Sequence, residues 1–278
     1  MGKSDSTLIA IGGGELAQAT EVLKELISLL KKKEDPRIVV VTVATNESKS
    51  ASEKYNSLFR GHDVKHVETV DIEQRDDAFI ESSLKKVRNA DAIFFTGGDQ
   101  LNVTTLLGGS PVHNLIHDKF HEGVIIAGTS AGAAMMSSSM ITSGGSGNPP
   151  VVGGVEFAPG MNMVEGTVID THFSQRSRHG RLLTAVAHHP HALGLGIDER
   201  TAMMIRGNEF KVIGEGVVTV VDGSQMRYCD LPYRQKNDPI GMFGADIHVL
   251  PSGYRFNLKT REPIAPKLRT LAATGNED

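Results

Sequence analysis

A run of apolar residues, Val124-Ile125-Ile126-Ala127, passes without a break into Gly128-Thr129-Ser130-Ala131-Gly132, and few backbones satisfy that junction. A strand that feeds directly into a helix must turn so tightly at the serine that the residues two before and two after it touch. Both are glycine, the residue with no Cβ to obstruct the contact. Such a turn lifts the Ser130 hydroxyl off the end of a sheet. It also aims the N–H groups that follow, at a helix N-terminus, toward negative charge developing beside the hydroxyl. The pentapeptide therefore points to Ser130 as a nucleophile, against the plainer reading of a small-residue turn that only packs.

The rest of the first half supplies the sheet that the turn requires. Residues 7–12 read as a strand and about Glu15 to Lys33 as a helix, with apolar residues at Leu16, Val22, Leu23, Leu26, Leu29 and Leu30. Arg37 to Thr42 is a β-branched strand, Lys49 to Arg60 a helix, Val64 to Val70 a strand, Ala78 to Val87 a helix and Ala92 to Thr96 a buried strand. This alternation predicts an α/β fold, a mainly parallel sheet flanked by helices on both faces. Ligands in such sheets sit beyond the C-terminal strand ends. Gly12-Gly13-Gly14, Thr96-Gly97-Gly98-Asp99-Gln100 and the Ser130 turn should converge there.

After residue 142 the run Ser143-Gly144-Gly145-Ser146-Gly147-Asn148-Pro149-Pro150 reads as a mobile loop, either a lid or an inert surface segment. A helix from about Arg178 to His188 and a strand at Leu193 to Ile197 follow. Short β segments at Ala202–Arg206, Phe210–Ile213, Val217–Val221 and Ile247–Leu250 suggest an antiparallel C-terminal extension of the same sheet. With 278 residues, 39% of them hydrophobic, residues 1–278 are expected to form a single domain, its tail from about 259 partly loose.

A net charge of −4, which no lysine or arginine run compensates, leaves no footprint for nucleic acid. No apolar run approaches the roughly 20 residues that cross a bilayer, and the lone Cys229 suits a reducing, cytoplasmic setting. The opening Met1-Gly2-Lys3-Ser4-Asp5-Ser6 lacks a signal-peptide pattern and matches an N-myristoylation site in form alone, so neither processing is expected.

A serine at neutral pH needs a base, and the base an orienting acid. Of the 11 histidines, His113, His117 and His121 share a helical face, but no carboxylate or cysteine completes a ligand set, so a wet helix face is expected and no metal. His188, His189 and His191 close a helix at Pro190, where structure explains them. His172 instead follows the strand Val168-Ile169-Asp170-Thr171 and opens onto Phe173-Ser174-Gln175-Arg176-Ser177-Arg178, at the same rim as Ser130. Arg176, Arg178 and Arg181 oppose the dipole at the start of the next helix, an unfavourable placement that suggests use in binding carboxylates. Asp198 or Glu199, directly after the strand ending at Ile197, could orient the imidazole. Gly97-Gly98 would bring a second oxyanion donor beside the N–H of Ala131.

These residues resemble the cyanophycinase family, among the serine peptidases related to aspartyl dipeptidases. The resemblance lies in Phe94-Phe95-Thr96-Gly97-Gly98-Asp99-Gln100, Gly128 to Ala133, Asp170-Thr171-His172-Phe173-Ser174-Gln175-Arg176 with Arg178 and Gly180-Arg181-Leu182, and Gly196-Ile197-Asp198-Glu199. It implies a glutamine-amidotransferase-like fold, often homodimeric, that hydrolyses cyanophycin, a poly-aspartate backbone with arginine on each β-carboxyl, to β-Asp-Arg dipeptides without a cofactor. Ser130 would be nucleophile, His172 base and Glu199 its partner, with Gly98 and Ala131 as oxyanion hole. Gln100, Asp170, Gln175, Arg176, Arg178 and Arg181 would line the substrate pocket, Asp170 meeting a substrate guanidinium. Thr171 stands where the family carries a longer polar residue.

Two other readings compete. An aspartyl dipeptidase of the same fold would share the triad, but the arginine cluster favours the polymer. A non-catalytic protein would either bind a dinucleotide through Gly12-x-Gly14-x-x-Ala17 as a Rossmann fingerprint, yet Thr42-Val43-Ala44-Thr45 supplies no acid for a ribose, or keep the peptide pocket without turnover, against which Ser130, His172 and Glu199 all stand intact.

Overall fold

The β-branched run at Arg37–Val41 shows why this chain builds a sheet covered on both sides. Ile38 and Val40 pack into a cluster with Leu23, Leu26 and Phe59, whereas Val39 and Val41 belong to a second cluster containing Val87, Ile116 and Ile126. A strand whose alternate side chains are both buried reads as a continuous apolar run. The computed structural model describes residues 6–45 and 47–267. Its first half comprises β1 (Thr7–Ile11), α1 (Thr20–Leu30), β2 (Arg37–Val41), α2 (Ser48–Arg60), β3 (His66–Val70), α3 (Glu81–Arg88), β4 (Ala92–Phe95), α4 (Gln100–Asn102), α5 (Pro111–His121), β5 (Ile125–Thr129) and α6 (Ala131–Ala134). Strands β1, β5, β4, β2 and β3 lie side by side in that order, all parallel. Helices α1 and α2 cover one face, while α3 and α5 lie on the other.

Two helices start later than their periodicity suggests. Residues 15–18 close a turn through Gln18 N–H on Glu15 O, so α1 begins only at Thr20. Ahead of α3, Arg75–Phe79 forms a 3₁₀ turn closed by the Asp77 carboxylate, and Ile80 is extended with ψ 130°. A side chain that caps locally interrupts an otherwise helical pattern.

The second half adds β6 (Ser139–Gly144), β7 (Val155–Pro159), β8 (Thr167–Thr171), α7 (His179–His188), β9 (Leu193–Ile197), β10 (Thr201–Arg206), β11 (Glu209–Gly214), β12 (Val217–Asp222), β13 (Tyr228–Cys229), β14 (Met242–Phe243), β15 (Asp246–Pro251), β16 (Arg255–Asn257) and β17 (Glu262–Ile264). The C-terminal strands do not all extend one sheet, as their sequence suggests. β10, β11, β16 and β17 add antiparallel to β1 and complete a sheet of 9 strands. The segments at 193–197, 217–221 and 247–250 instead join β8 in a separate sheet ordered β15-β12-β9-β8. The cause is the β8-α7-β9 unit, which returns β9 parallel to β8 rather than to β1. Both sheets share one apolar cluster, in which Leu195, Ile197 and Val218 meet Ile126 and Met203.

The segment after residue 142 is more ordered than its composition suggests. Ser143 and Gly144 still belong to β6, which pairs with β7, and the connection is pinned by Gly147 N–H on Ser177 O and Val152 N–H on Asp238 O, both 3.0 Å. Part of the tail expected to be loose lies outside the described residues, as does the opening segment 1–5; within them, Glu262–Ile264 pairs with β16. Among the described residues no helix is long and apolar enough to cross a membrane.

Candidate active site

Ser130 stands between β5 and α6 with φ 54° and ψ −114°, the strained backbone of a nucleophile elbow. Small residues are required on both sides. A Cβ on Gly128 would collide with the carbonyl oxygen of Gly132, and one on Gly132 would lie 2.6 Å from Phe95 O. The Ser130 N–H donates to Ile11 O at 3.0 Å, so the elbow is tied to the end of β1.

His172, just past β8, also takes a left-handed conformation with φ 50°. Its N–H donates to Gly12 O at 2.6 Å, which holds the residue against the same end of β1. Ser130 Oγ lies 2.9 Å from His172 Nε2, and His172 Nδ1 lies 2.6 Å from Glu199 Oε1. An ionised carboxylate can only accept, so Nδ1–H donates to Glu199, and Nε2 is left to accept from the hydroxyl. Burial pushes the imidazole pKa below its ordinary value; Glu199 opposes this through its hydrogen bond and charge, while the Arg176 and Arg178 charges add to it. A neutral ring is the form that can take a proton.

The geometry separates the two adjacent acids. Glu199 reaches the ring, whereas Asp198 accepts from Ser174 N–H at 3.0 Å and Val217 N–H at 3.2 Å, fixing the loop that carries His172 to β12. Gln175 lies close by, but its Oε1 accepts the Glu199 N–H at 3.0 Å. It holds the acid in place. Neither function has a signal in sequence beyond proximity to the histidine.

The three glycine-rich features do converge. Gly13 O accepts from Arg200 N–H at 3.0 Å, and a Cβ on Gly13 would strike the imidazole ring. A Cβ on Gly12 would strike Asp198 O. The space a Rossmann loop keeps for a pyrophosphate is thus filled here by the protein's own histidine and acid loop. Gly98, with φ 143°, is pressed against the carbonyl of Ala44, and Asp99 N–H donates to that same oxygen at 2.6 Å. Gly97 comes close enough that its Cβ would lie 3.8 Å from Ser130 Oγ. The Ala131 N–H opens α6, where a first-turn donor has no acceptor within the helix.

A cavity of about 230 Å³ opens beside Ser130, lined in part by Gly98, Gln100, Thr171, Arg176, Arg178 and Arg181. Gln100 Nε2 donates to Ile141 O at 2.5 Å. The arginines differ in ways their spacing does not reveal. Arg181 is buried and bidentate on Asp170, with Nε to Oδ2 at 2.7 Å and Nη2 to Oδ1 at 2.5 Å. Arg178 Nη1 donates to Asp170 Oδ1 at 3.2 Å and Thr171 O at 2.7 Å, whereas its buried Nε has no acceptor among the described residues. Burial, then the neighbouring Arg181 and Arg176 charges, lower the Arg178 pKa against the pull of Asp170. Arg176 is exposed. Asp170 therefore already carries two guanidinium groups, contrary to the expectation that it meets one from a substrate, because a buried carboxylate takes the nearest cations.

Of the α5 histidines, His121 is exposed as expected, whereas the other two are partly covered. His113 and His117 meet edge to face at 4.7 Å, and His117 is half-buried with its pKa lowered, chiefly by that burial. Among the described residues no group of three His, Cys, Asp or Glu side chains is placed to hold a metal.

An elbow serine bonded to an imidazole that is bonded to a glutamate, in the chain order serine, histidine, acid, invites comparison with known peptidases. The model of peptidase family S51 matches residues 8–213. The chain belongs to this family. It is 35% identical over 263 residues to a cyanophycinase of Geminocystis herdmanii, covering 94% of this chain and 96% of that one. A cyanophycinase of Trichormus variabilis is 33% identical over 271 residues, covering 96% and 90%. Among solved structures, a peptidase from an acI-B1 Actinobacterium superposes with a TM-score of 0.63 at 22% identity, covering 87% of this chain and 99% of its own, a likeness of fold. The S51 match spans Ser130, His172, Glu199 and the residues lining the cavity beside them, and identifies a serine peptidase, a hydrolase.

Proposed function

We propose that this S51 peptidase is a cyanophycinase that hydrolyses the poly-aspartate backbone of cyanophycin and releases β-Asp-Arg dipeptides. The observation that carries the reading is a hydroxyl–imidazole–carboxylate relay opening directly onto a cavity walled by arginines. Its curated relatives, at 33–35% identity over most of the chain, support the substrate.

In this mechanism Ser130 Oγ attacks the scissile carbonyl as His172 Nε2 takes its proton, and Glu199 stabilises the imidazolium. The N–H groups of Gly98 and Ala131 receive the oxyanion. His172 then protonates the leaving amine, and an acyl-enzyme on Ser130 remains. Water, deprotonated by His172, attacks that ester and frees the serine. Arg176 and Arg178 bind a carboxylate of the arginyl branch, Gln100 orients the chain, Asp170 and Arg181 hold the wall, and Gln175 holds Glu199. No cofactor enters any step. Kinship with the cyanophycinase family adds a homodimer in the cytoplasm to the same proposal, which sedimentation equilibrium and fractionation would test.

The deciding assay compares β-Asp-Arg release from cyanophycin with hydrolysis of short Asp-X peptides. Cleavage of the polymer is the expected result. Cleavage of only the short peptides would replace this reading with an aspartyl dipeptidase. A phosphonylating reagent should label Ser130, and labelling elsewhere would remove it from the mechanism.

A further inference from the structure

A second cavity of about 370 Å³ lies between the β6–β7 hairpin and α7. It shares the Arg181 wall with the cavity beside Ser130, and β6 runs along both: Ile141 and Thr142 line the first, Ser143 and Gly144 the second. A β-bulge interrupts β6 between Ile141 and Ser143, so the two sets of lining residues adjoin along one bent strand. The two cavities are neighbours.

Their balance of charge differs. The cavity at Ser130 carries Arg176, Arg178 and Arg181 against Asp99 and Asp170. The second presents acceptors: the Glu156 carboxylate, the Ser143 hydroxyl and the side-chain amides of Asn148 and Asn237. Ser143 Oγ donates to Glu156 Oε2 at 2.8 Å, so among the described residues the carboxylate is oriented by a hydroxyl and not neutralised by a cation. Among the described residues Arg181 is the one cation on its wall; its Nε and Nη2 bind Asp170, and its Nη1 donates to Gly144 O at 3.4 Å.

We infer that this second cavity is a subsite for the guanidinium of a branch two repeats away from the bond being cut. The inference rests on the cyanophycinase reading. Along an extended backbone alternate side groups project to the same side, so successive branches on that side can enter two adjoining cavities. A guanidinium offers five N–H donors in a plane, which match a carboxylate flanked by amide and hydroxyl oxygens. The branch carboxylate nearer Ser130 meets arginines while the guanidinium of the farther branch meets Glu156. The subsite would thereby favour long chains over products.

The test compares Michaelis constants of the full chain and its Glu156→Gln and Glu156→Lys variants on cyanophycin and on an oligomer of two repeats, with a thermal melt to show that each variant is folded. The expected result is a KM for the polymer raised about threefold to fivefold by Glu156→Gln, the worth of an exposed ion pair. Glu156→Lys should raise it further, with kcat unaltered. The advantage of polymer over the two-repeat oligomer would shrink accordingly. Equal polymer KM values for wild type and both variants would overturn the subsite and leave the cyanophycinase reading intact. Failure of the wild-type chain to cleave cyanophycin at all would overturn both.

Discussion

Burial sets the working state of the His172 ring. Because its pKa lies below the ordinary imidazole value of about 6.5, the ring is neutral and able to accept a proton at neutral pH. Lowering the pH protonates it, so kcat/KM should fall only as pH drops through a value beneath that ordinary range. A profile whose acidic limb lies above pH 7 would contradict this. Glu199→Gln removes the two influences that raise the pKa, its hydrogen-bonded carboxylate and its charge, so the limb should move lower still. It should also lower kcat by about 10²–10⁴, since the amide can favour the wrong tautomer. Ser130→Ala, measured beside it, should abolish turnover yet leave polymer binding measurable; near-wild-type hydrolysis would dismiss the relay.

At the scale of elements, the ends of β1, β5 and β8 meet so closely that a Cβ on Gly12, Gly13 or Gly128 would collide. Gly13 is the sharpest case: its φ of 102° suits glycine, and a Cβ there would strike the His172 ring. Gly13→Ala should therefore push the imidazole off Ser130 and lower kcat by about 100-fold, the effect of roughly a 1 Å misplacement. Its stability cost should be only about 1–2 kcal/mol, that of a left-handed alanine. Intact kinetics would show that the ring does not depend on that contact. The elbow was legible in sequence because Gly-x-Ser-x-Gly after an apolar strand leaves one geometry, and His172 because it follows a strand at the same rim. The rest of the glycine triplet's role was not, since contact with an imidazole 159 positions later leaves no local pattern. The same holds for Asp198 and Gln175, whose acceptors grip backbone N–H groups, and a backbone partner has no side-chain signature.

Across the whole molecule, the parallel half was readable because each strand buries both faces, whereas the partition of the C-terminal strands between two sheets was not. Strands such as Val217–Asp222 carry apolar character wherever they pair, and only the β8-α7-β9 crossover decides which edge receives them. That crossover is also where Asp170 joins β8 to α7, with its side chain 1% exposed and both Arg178 and Arg181 on it. Asp170→Asn would leave two largely buried guanidinium groups without a counter-charge, a loss of about 3–5 kcal/mol. For a chain of this size, the melting temperature should fall by roughly 10 °C. Asp170→Asn combined with Arg181→Met should recover part of the stability, because an apolar side chain in place of a broken ion pair removes one desolvated charge. Activity on the polymer should not return with it, since Arg178 would still lack the carboxylate that aims it into the cavity. Recovery of both together would mean that Asp170, Arg178 and Arg181 are scaffolding and that substrate carboxylates are bound elsewhere.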